Sequence, residues 1–179
     1  TFQYVSPAPT KLHKKLLSLI HQESQAASQG KPSHIIIKVN ALVDPVVIDN
    51  LYLASQMGTR IDLIVRGACS LIPGIKGLSE NIRVISIVDR YLEHSRIYYF
   101  EAAKALYLSS ADLMPRNFFS RLELAFPILD PALFSFIRNV ILETQLKDNV
   151  KARELSSKGQ WSMVKSGQKA PLRSQIFFE

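Results

Sequence analysis

Two apolar segments separated by a capped helix constrain the fold of this chain most strongly. Ile35–Val39 and Arg60–Val65 carry apolar residues on both alternating sides, which is typical of strands buried on both faces of a parallel sheet. Between them, Asp44-Pro45 offers a capping side chain and a proline for the first helical position, and Gly58 ends the helix. Strand, helix and strand at this spacing form a βαβ unit. The sequence therefore predicts an α/β domain.

Further apolar runs extend this unit into one mixed sheet with helices on its faces. The other predicted strands are Ile82–Val88, Arg96–Phe100, Leu106–Ser109 and Leu122–Pro127. One predicted helix is capped by Thr10 and runs to Gln25, and another starts at Asp130-Pro131 and ends near Lys147.

The chain of 179 residues is long enough for one well-buried domain, which we place at residues 11–155. Residues 1–10 contain Pro7 and Pro9, so we expect an extended linker there. Residues 156–179 begin with a stretch rich in Ser, Gly and Lys, which predicts a mobile segment that Trp161 pins to the body. A short terminal helix is expected near Leu172–Phe178.

The stretch from Tyr91 to Asn117 carries the side chains suited to chemistry. It is predicted to form a hairpin. His94 and Arg96 share one side of its first strand, and Ser110 and Asp112 leave its second strand with the same spacing. The hairpin brings an imidazole, a guanidinium, a hydroxyl and a carboxylate to one end of the sheet. Arginine offers a rigid donor fork for phosphate oxygens and histidine exchanges a proton near neutral pH, so this set suits phosphoryl chemistry.

Bulk properties narrow the choice of function. The net charge of +7 indicates an anionic partner without choosing among nucleic acid, a membrane surface and polyphosphate. The single cysteine, Cys69, excludes an internal disulfide, and no apolar run approaches the roughly 18–20 residues that span a bilayer. The loop 67–80 has no P-loop string, and the four histidines have no zinc-ligand spacing. Position alone favours a surface salt bridge for Arg66.

The motif around His94 resembles one half-site of the phospholipase D superfamily, which has His-x-Lys and then a Gly-Ser-x-Asn-like segment. Arg96 stands in place of the lysine, and the second segment reads Ser109-Ser110-Ala111-Asp112. Longer strings are similar to the C-terminal catalytic domain of the phosphohistidine-forming bacterial polyphosphate kinases. These strings are IIIKVNALVDP, RIDLIVRGACSLIPG, LSENIRVISIVDRYLEHSRIYYF and LYLSSADLMPRN. The similarity runs from about Val5 to the end and implies a phospholipase D-like mixed sheet flanked by helices.

This resemblance implies an ATP:polyphosphate phosphotransferase, which reversibly transfers the terminal phosphate of ATP to polyphosphate through a phosphohistidine. Arg66 matches an arginine that binds ATP phosphates in the family. His94 is implied on the opposite side of the reaction from the phosphate-accepting histidine, where it binds ATP and serves as a proton or hydrogen-bond donor. Arg96 and Arg116 are further candidates for phosphate contact. Ser110 and Asp112 are expected to support the site.

The resemblance also implies that part of the enzyme lies upstream. The family's phosphate-accepting histidine and its magnesium site belong to the preceding domain, and this chain begins with Thr. We therefore expect a fragment that is inactive alone and that holds no metal ligand itself. The expected partners are ATP or ADP, inorganic polyphosphate, the upstream domain and further copies of the full-length chain. We expect a cytoplasmic protein with peripheral membrane association.

Two other classes of function remain open from the residues. One is a phospholipase D-type phosphodiesterase whose site is completed by homodimerisation, which a lysine at position 96 would favour. The other is a noncatalytic polyanion-binding domain that uses total charge alone. Hydrolysis of a phosphodiester would identify the first, and binding that ignores Arg66 and His94 would identify the second.

Overall fold

The computed structural model describes residues 4–165, 167–168 and 170–179. In this part of the chain, nine strands form one mixed sheet in the order β1-β7-β6-β5-β2-β3-β4-β8-β9. The strands are β1 Ser6–Ala8, β2 His34–Val39, β3 Arg60–Val65, β4 Ile82–Ile87, β5 Arg96–Phe100, β6 Ala105–Ser109, β7 Glu123–Pro127, β8 Ala152–Leu155 and β9 Trp161–Met163. The helices are α1 Leu12–Ser28, α2 Pro45–Gln56, α3 Pro115–Phe119, α4 Pro131–Phe136, α5 Glu143–Leu146 and α6 Ser174–Phe177.

The predicted βαβ unit forms the centre of the sheet. Strands β2, β3 and β4 are parallel, and β5 is antiparallel to β2. The Asp44 side chain accepts a hydrogen bond from the Val47 backbone N–H at 2.9 Å, and Pro45 takes the first helical position of α2. Gly58 follows the helix with a φ of 97°, a conformation that glycine adopts without strain. The predicted α/β class with a mixed sheet is therefore confirmed.

The sheet buries both of its faces, which explains the unbroken apolar runs. On one face, Ile35 and Ile37 join a core with α1 and α2 that includes Leu16 and Leu51. On the other face, Ile36 joins a second core with Ile64, Ile85, Ile137 and Leu142. All six residues of β2 are buried as a result. The chain thus supplies its own hydrophobic core on both sides of the sheet.

Two predictions about helices need correction. Lys11, not Thr10, is the N-cap of α1, and no side chain caps that end. The backbone N–H of Lys11 instead donates to the Pro7 carbonyl at 2.8 Å, so the turn that follows β1 sets where the helix begins. The single helix predicted from Asp130 is interrupted, because a π-helical segment, Ile137–Leu142, lies between α4 and α5.

The two ends of the chain contribute to the sheet edges. Strand β1, in the predicted linker, pairs with β7, and β9, in the predicted mobile segment, pairs with β8. Helix α6 lies at the predicted terminal helix. Residues 1–3 of the linker and residues 166 and 169 of the mobile segment lie outside the described residues, and the mobility of 156–179 stays a prediction. Among the helices described, none is both long and apolar enough to cross a membrane.

Candidate functional site

One edge of the sheet, formed by the carboxyl ends of β2 and β3, carries four of the predicted site residues: Arg66, His94, Arg96 and Asp112. Because β5 runs antiparallel to β2, its first residue lies beside the end of β2, and β3 on the other side of β2 ends at the same level. Arg66 directly follows β3, and its backbone N–H donates to the Val39 carbonyl at 3.1 Å. His94 lies two residues before β5, on the same edge. The edge at the C-terminal ends of parallel strands is where α/β sheets commonly bind ligands.

Arg96 connects His94 to Asp112. Its Nε and Nη2 atoms donate to the two carboxylate oxygens of Asp112 at 3.2 and 3.0 Å, and its Nη1 donates to the His94 carbonyl at 3.0 Å. Asp112 also accepts from the backbone N–H of Asn40 at 2.7 Å. Burial alone would raise the pKa of Asp112, but the hydrogen bonds from Arg96 and Asn40 outweigh it and hold the pKa below its usual value. The predicted grouping of Arg96 and Asp112 is thus present, and it links β5 to the end of β2.

The His94 ring is exposed and lies against the Arg96 guanidinium. Nη1 of Arg96 is 3.1 Å from Nδ1 of His94, and Nη2 is 3.3 Å from Nε2. Arginine only donates, and a neutral imidazole has one acceptor nitrogen, so at most one of these contacts is a hydrogen bond. The other ring nitrogen then carries a proton that it can donate. Since the ring is exposed, it can rotate to present that N–H to a ligand.

Lys38 lies behind this edge and was missed as a site residue. Its side chain is 6% exposed, and its Nζ lies 3.0 Å from Oε2 of Glu93, the residue before His94. Burial lowers the pKa of Lys38, the adjacent Glu93 carboxylate opposes that shift, and the positive charges of Arg66 and Arg96 lower the pKa further. Lys38 therefore lies within electrostatic reach of both arginines. The signal in the sequence was a charged residue inside the apolar run IIIKV.

The structure places Ser110 and Arg116 differently from His94. The Ser110 hydroxyl donates to Glu123 and accepts from the Leu124 backbone N–H at 3.0 Å, which joins β6 to β7. Arg116 is exposed on the short helix α3, where the neighbouring Asn117 donates to Glu123. These contacts direct Ser110 towards β7. In the described part of the chain, no hydrogen bond or ion pair connects Ser110 or Arg116 to His94, Arg96 or Asp112.

The C-terminal segment holds the loop that carries His94. The Gln175 side chain accepts from the Tyr91 N–H at 2.8 Å and donates to the Tyr91 carbonyl at 2.9 Å. Arg173 donates to both carboxylate oxygens of Asp89 at 2.7 and 2.6 Å. Ser174 is held in turn by Asp148, which accepts from its backbone N–H and its hydroxyl at 2.8 and 2.7 Å. Residues 89–93 are therefore fixed by side chains more than eighty positions later.

The residues at this edge do not fit a magnesium ion. Within the described ranges, no three His, Cys, Asp or Glu side chains come together as metal ligands. The Asp112 oxygens already accept hydrogen bonds from Arg96 and Asn40, and the nearby Glu93 carboxylate is paired with Lys38. No step that involves a metal follows from this chain's own residues.

The fold of the chain resembles that of a solved phospholipase D family member. A phospholipase D family member, Nuc, from Salmonella typhimurium superposes with a TM-score of 0.61 and 14% identity, over 86% of this chain and 97% of that one. At this identity the likeness concerns the fold alone. The predicted phospholipase D-like architecture is confirmed.

The sequence comparison is more specific. The family model described as polyphosphate kinase C-terminal domain 2 matches residues 5–175, so the chain belongs to this family. Polyphosphate kinase from Helicobacter pylori (strain J99) is 49% identical over 179 residues, which cover all of this chain and 26% of that protein. Polyphosphate kinase from Porphyromonas gingivalis has a crystal structure that matches 99% of this chain and 27% of that chain, with a TM-score of 0.94 and 40% identity. The chain thus spans about a quarter of the length of the relatives it matches.

Proposed function

We propose that this chain supplies the ATP-phosphate side of a polyphosphate kinase active site. In this reaction the terminal phosphate of ATP is transferred reversibly to inorganic polyphosphate. Family membership supports the reaction class. The observation that carries the site assignment is that Arg66 and His94 lie at the same edge of the sheet. Asp112 holds Arg96, the first residue of β5, at that edge.

Arg66 and His94 have separate parts in this proposal. Arg66 neutralises negative charge on the ATP phosphates, since a guanidinium keeps its charge at every physiological pH. His94 donates a ring N–H to the transferred phosphoryl group or protonates the leaving group. Arg116, on the exposed side of α3, is a further phosphate contact. Arg96 acts through His94, because three of its nitrogens already bond Asp112 and the His94 carbonyl.

The rest of the site comes from outside this chain in our proposal. An upstream part of the same protein supplies the histidine that becomes phosphorylated and binds magnesium. Copies of the full-length protein associate, and the enzyme works in the cytoplasm with peripheral attachment to the membrane. This division of labour predicts that the chain alone makes no polyphosphate from labelled ATP and forms no stable phosphohistidine. Polymer synthesis by the isolated chain would contradict it.

The first test measures ATP binding to the chain by titration calorimetry. Arg66→Ala should weaken binding at every pH by roughly 1.5–3 kcal/mol, the range for a hydrogen bond to a charged group. Lys14→Gln is the matched control, because Lys14 is an exposed cation on α1 and should bind ATP like the unmodified chain. Equal losses in both variants would favour binding by total charge alone.

The second test uses the full-length enzyme. His94→Ala should reduce turnover by about 10²–10⁴, the usual contribution of a positioned proton donor, with a smaller change in ATP affinity. Turnover that is unchanged would remove His94 from the site. Hydrolysis of a phosphodiester substrate by the chain, lost in His94→Ala, would instead support the phosphodiesterase alternative.

A further inference from the structure

A cavity of about 420 Å³ borders the loop that precedes His94. Three separate parts of the chain form its walls: Tyr91 belongs to that loop, Ile141 to the π-helical segment, and Phe178 follows α6. The volume lies within the range of about 300–1,000 Å³ that is usual for small-molecule sites. Neither Arg66 nor His94 lines the cavity, so it is separate from the site proposed for the ATP phosphates.

Aromatic side chains give the cavity an apolar rim. Tyr91, Phe136 and Phe178 line it, and each of them is between 43% and 50% exposed. Flat ring systems pack well against aromatic side chains, and a positive charge is attracted to the face of an aromatic ring. Exposed apolar side chains that surround one cavity are typical of a binding site.

The charged groups of the cavity are carboxylates. Among the described residues that line it, Glu93 and Glu179 are acidic, and none is Lys, Arg or His. Lys38 and Arg90 pair with these two carboxylates at 3.0 and 3.3 Å, but neither cation lines the cavity. An anion in the cavity would contact the carboxylates and not their cationic partners. The cavity therefore disfavours phosphates and favours a ligand with N–H donors and positive charge.

Gln145 supplies the most specific signal for a ligand. It lines the cavity and is 4% exposed. Its Nε2 donates to Glu93, whereas its Oε1 is buried and accepts no hydrogen bond from the part of the chain that the structure describes. Buried polar atoms in proteins almost always have a hydrogen-bond partner. A ligand N–H that reaches this wall of the cavity would give the oxygen its donor.

We propose that this cavity binds a small aromatic molecule that carries an amidine or a protonated amine. The ring of the ligand packs among the three aromatic side chains of the rim, and its N–H groups donate to Gln145 and Glu179. Tyr91 belongs to the loop that Gln175 holds through both backbone groups of Tyr91. A bound ligand adds contacts to the same loop, so the cavity is an effector site that stabilises the position of His94. This role goes beyond the proposed function.

The test compares two probes that share one ring and differ in a single substituent. 4-Aminobenzamidine carries N–H donors and a positive charge, and 4-aminobenzoate carries a carboxylate. The chain labelled with nitrogen-15 is titrated with each probe by NMR, and the side-chain amides of Gln145 and Gln175 report binding. 4-Aminobenzamidine should shift both signals saturably and bind about tenfold more tightly than 4-aminobenzoate, the equivalent of one charge-assisted hydrogen bond. Equal affinities for the two probes would overturn the proposal.

Variants locate the binding in this cavity. Phe178→Ala removes one ring of the rim and should weaken 4-aminobenzamidine binding about tenfold. Ile176→Ala is the matched control, because Ile176 is equally exposed on α6 but does not line the cavity, and it should bind the probe like the unmodified chain. Glu179→Gln should weaken binding of the amidine but not of the benzoate, whereas Asp49→Asn removes the same charge from α2 and should change neither. Equal losses in Phe178→Ala and Ile176→Ala would contradict the assignment.

Amide exchange tests the link to the loop before His94. The Tyr91 N–H donates to Gln175, so it exchanges when the loop opens. At a probe concentration of about ten times the Kd, its exchange should slow about tenfold, and unchanged exchange would refute the effector role. The same titration is made with the full-length enzyme, where a loss of binding would show that the upstream part covers the cavity and would overturn the proposal. His94→Ala should bind 4-aminobenzamidine like the unmodified chain, so the outcome does not depend on the proposed function.

Discussion

Replacing Glu93 with glutamine tests whether the pair of Lys38 and Glu93 holds the loop before His94. The Nζ–Oε2 distance is 3.0 Å, and the two side chains are 6% and 18% exposed. Removing one partner of a buried ion pair leaves the other charge uncompensated, which typically costs about 3–5 kcal/mol. We therefore expect Glu93→Gln to lower the free energy of unfolding by about 3 kcal/mol at pH 7. This value is at the lower end of the range because Glu93 is partly exposed.

The pH dependence of the free energy of unfolding shows whether the loss in Glu93→Gln comes from the charge of Lys38. Lys38 has a lowered pKa in the folded protein, so between that pKa and the ordinary value of 10.5 the unfolded chain binds more protons and stability rises with pH. Glu93 opposes the lowering, so its removal widens this interval. The penalty of Glu93→Gln relative to the unmodified chain should shrink as the pH rises from 7 to 10. Urea unfolding at several pH values measures this.

Three further variants complete the test. Lys38→Met should cost less than Glu93→Gln, because Glu93 keeps its hydrogen bond from Gln175, and the double variant should cost less than the sum of the singles. Asp49→Asn removes one exposed negative charge from α2 and should leave stability within about 0.5 kcal/mol. Additive losses that do not change with pH would refute the role of the buried pair.

Three more predictions concern other parts of the fold. Asp148→Ala removes the acceptor of the Ser174 N–H and hydroxyl and of the Lys151 N–H, so it should destabilise the chain by about 2–4 kcal/mol in urea and increase amide exchange in residues 89–93. The pKa of Asp148 is held below its usual value, so the stability that its carboxylate contributes is present above the unfolded-state pKa and is lost as the pH falls through the folded-state pKa. Asp148→Asn should lack this acid-sensitive loss of stability. A variant whose stability falls with acid as it does in the unmodified chain would contradict the prediction. Partial burial raises the pKa of the Cys69 thiol, so at pH 8 Cys69 should react with a disulfide reagent more slowly than it does in urea, and equal rates would contradict this protection.

Local patterns in the sequence are sufficient to predict the central strands and the first residues of two helices. Ile35–Val39 predicts a strand because each residue meets a core on one face or the other, and Asp44 and Asp130 cap helices through bonds only three residues away. The edge strands β1 and β9 have three residues each, which is too short for a strand period to be recognised in the sequence. They exist because longer strands offer them a partner, which only the tertiary structure provides.

The candidate site also contains some residues that local patterns predict and others that only the tertiary structure brings together. The two-residue spacing of His94 and Arg96 placed them together, and the hairpin brought Asp112 to the same end. The same spacing argument placed Ser110 there, but its hydroxyl bonds Glu123 of β7, a strand whose position the hairpin alone does not determine. Lys38 and Gln175 are brought to the site by contacts between distant parts of the chain. Spacing rules cannot detect such contacts.

The hold of Arg173 and Gln175 on the loop before His94 has a consequence for synthesis on the ribosome. Asp89 is translated 84 residues before Arg173, its partner. At about 5–20 residues per second, the loop waits about 4–17 s for the side chains that fix it. Strands β2, β3 and β4 are translated before that interval, and β5, β6 and β7 are translated within it. A nascent domain can therefore acquire its core before His94 is held in place, and a product that terminates before Arg173 would fold without an ordered His94 loop.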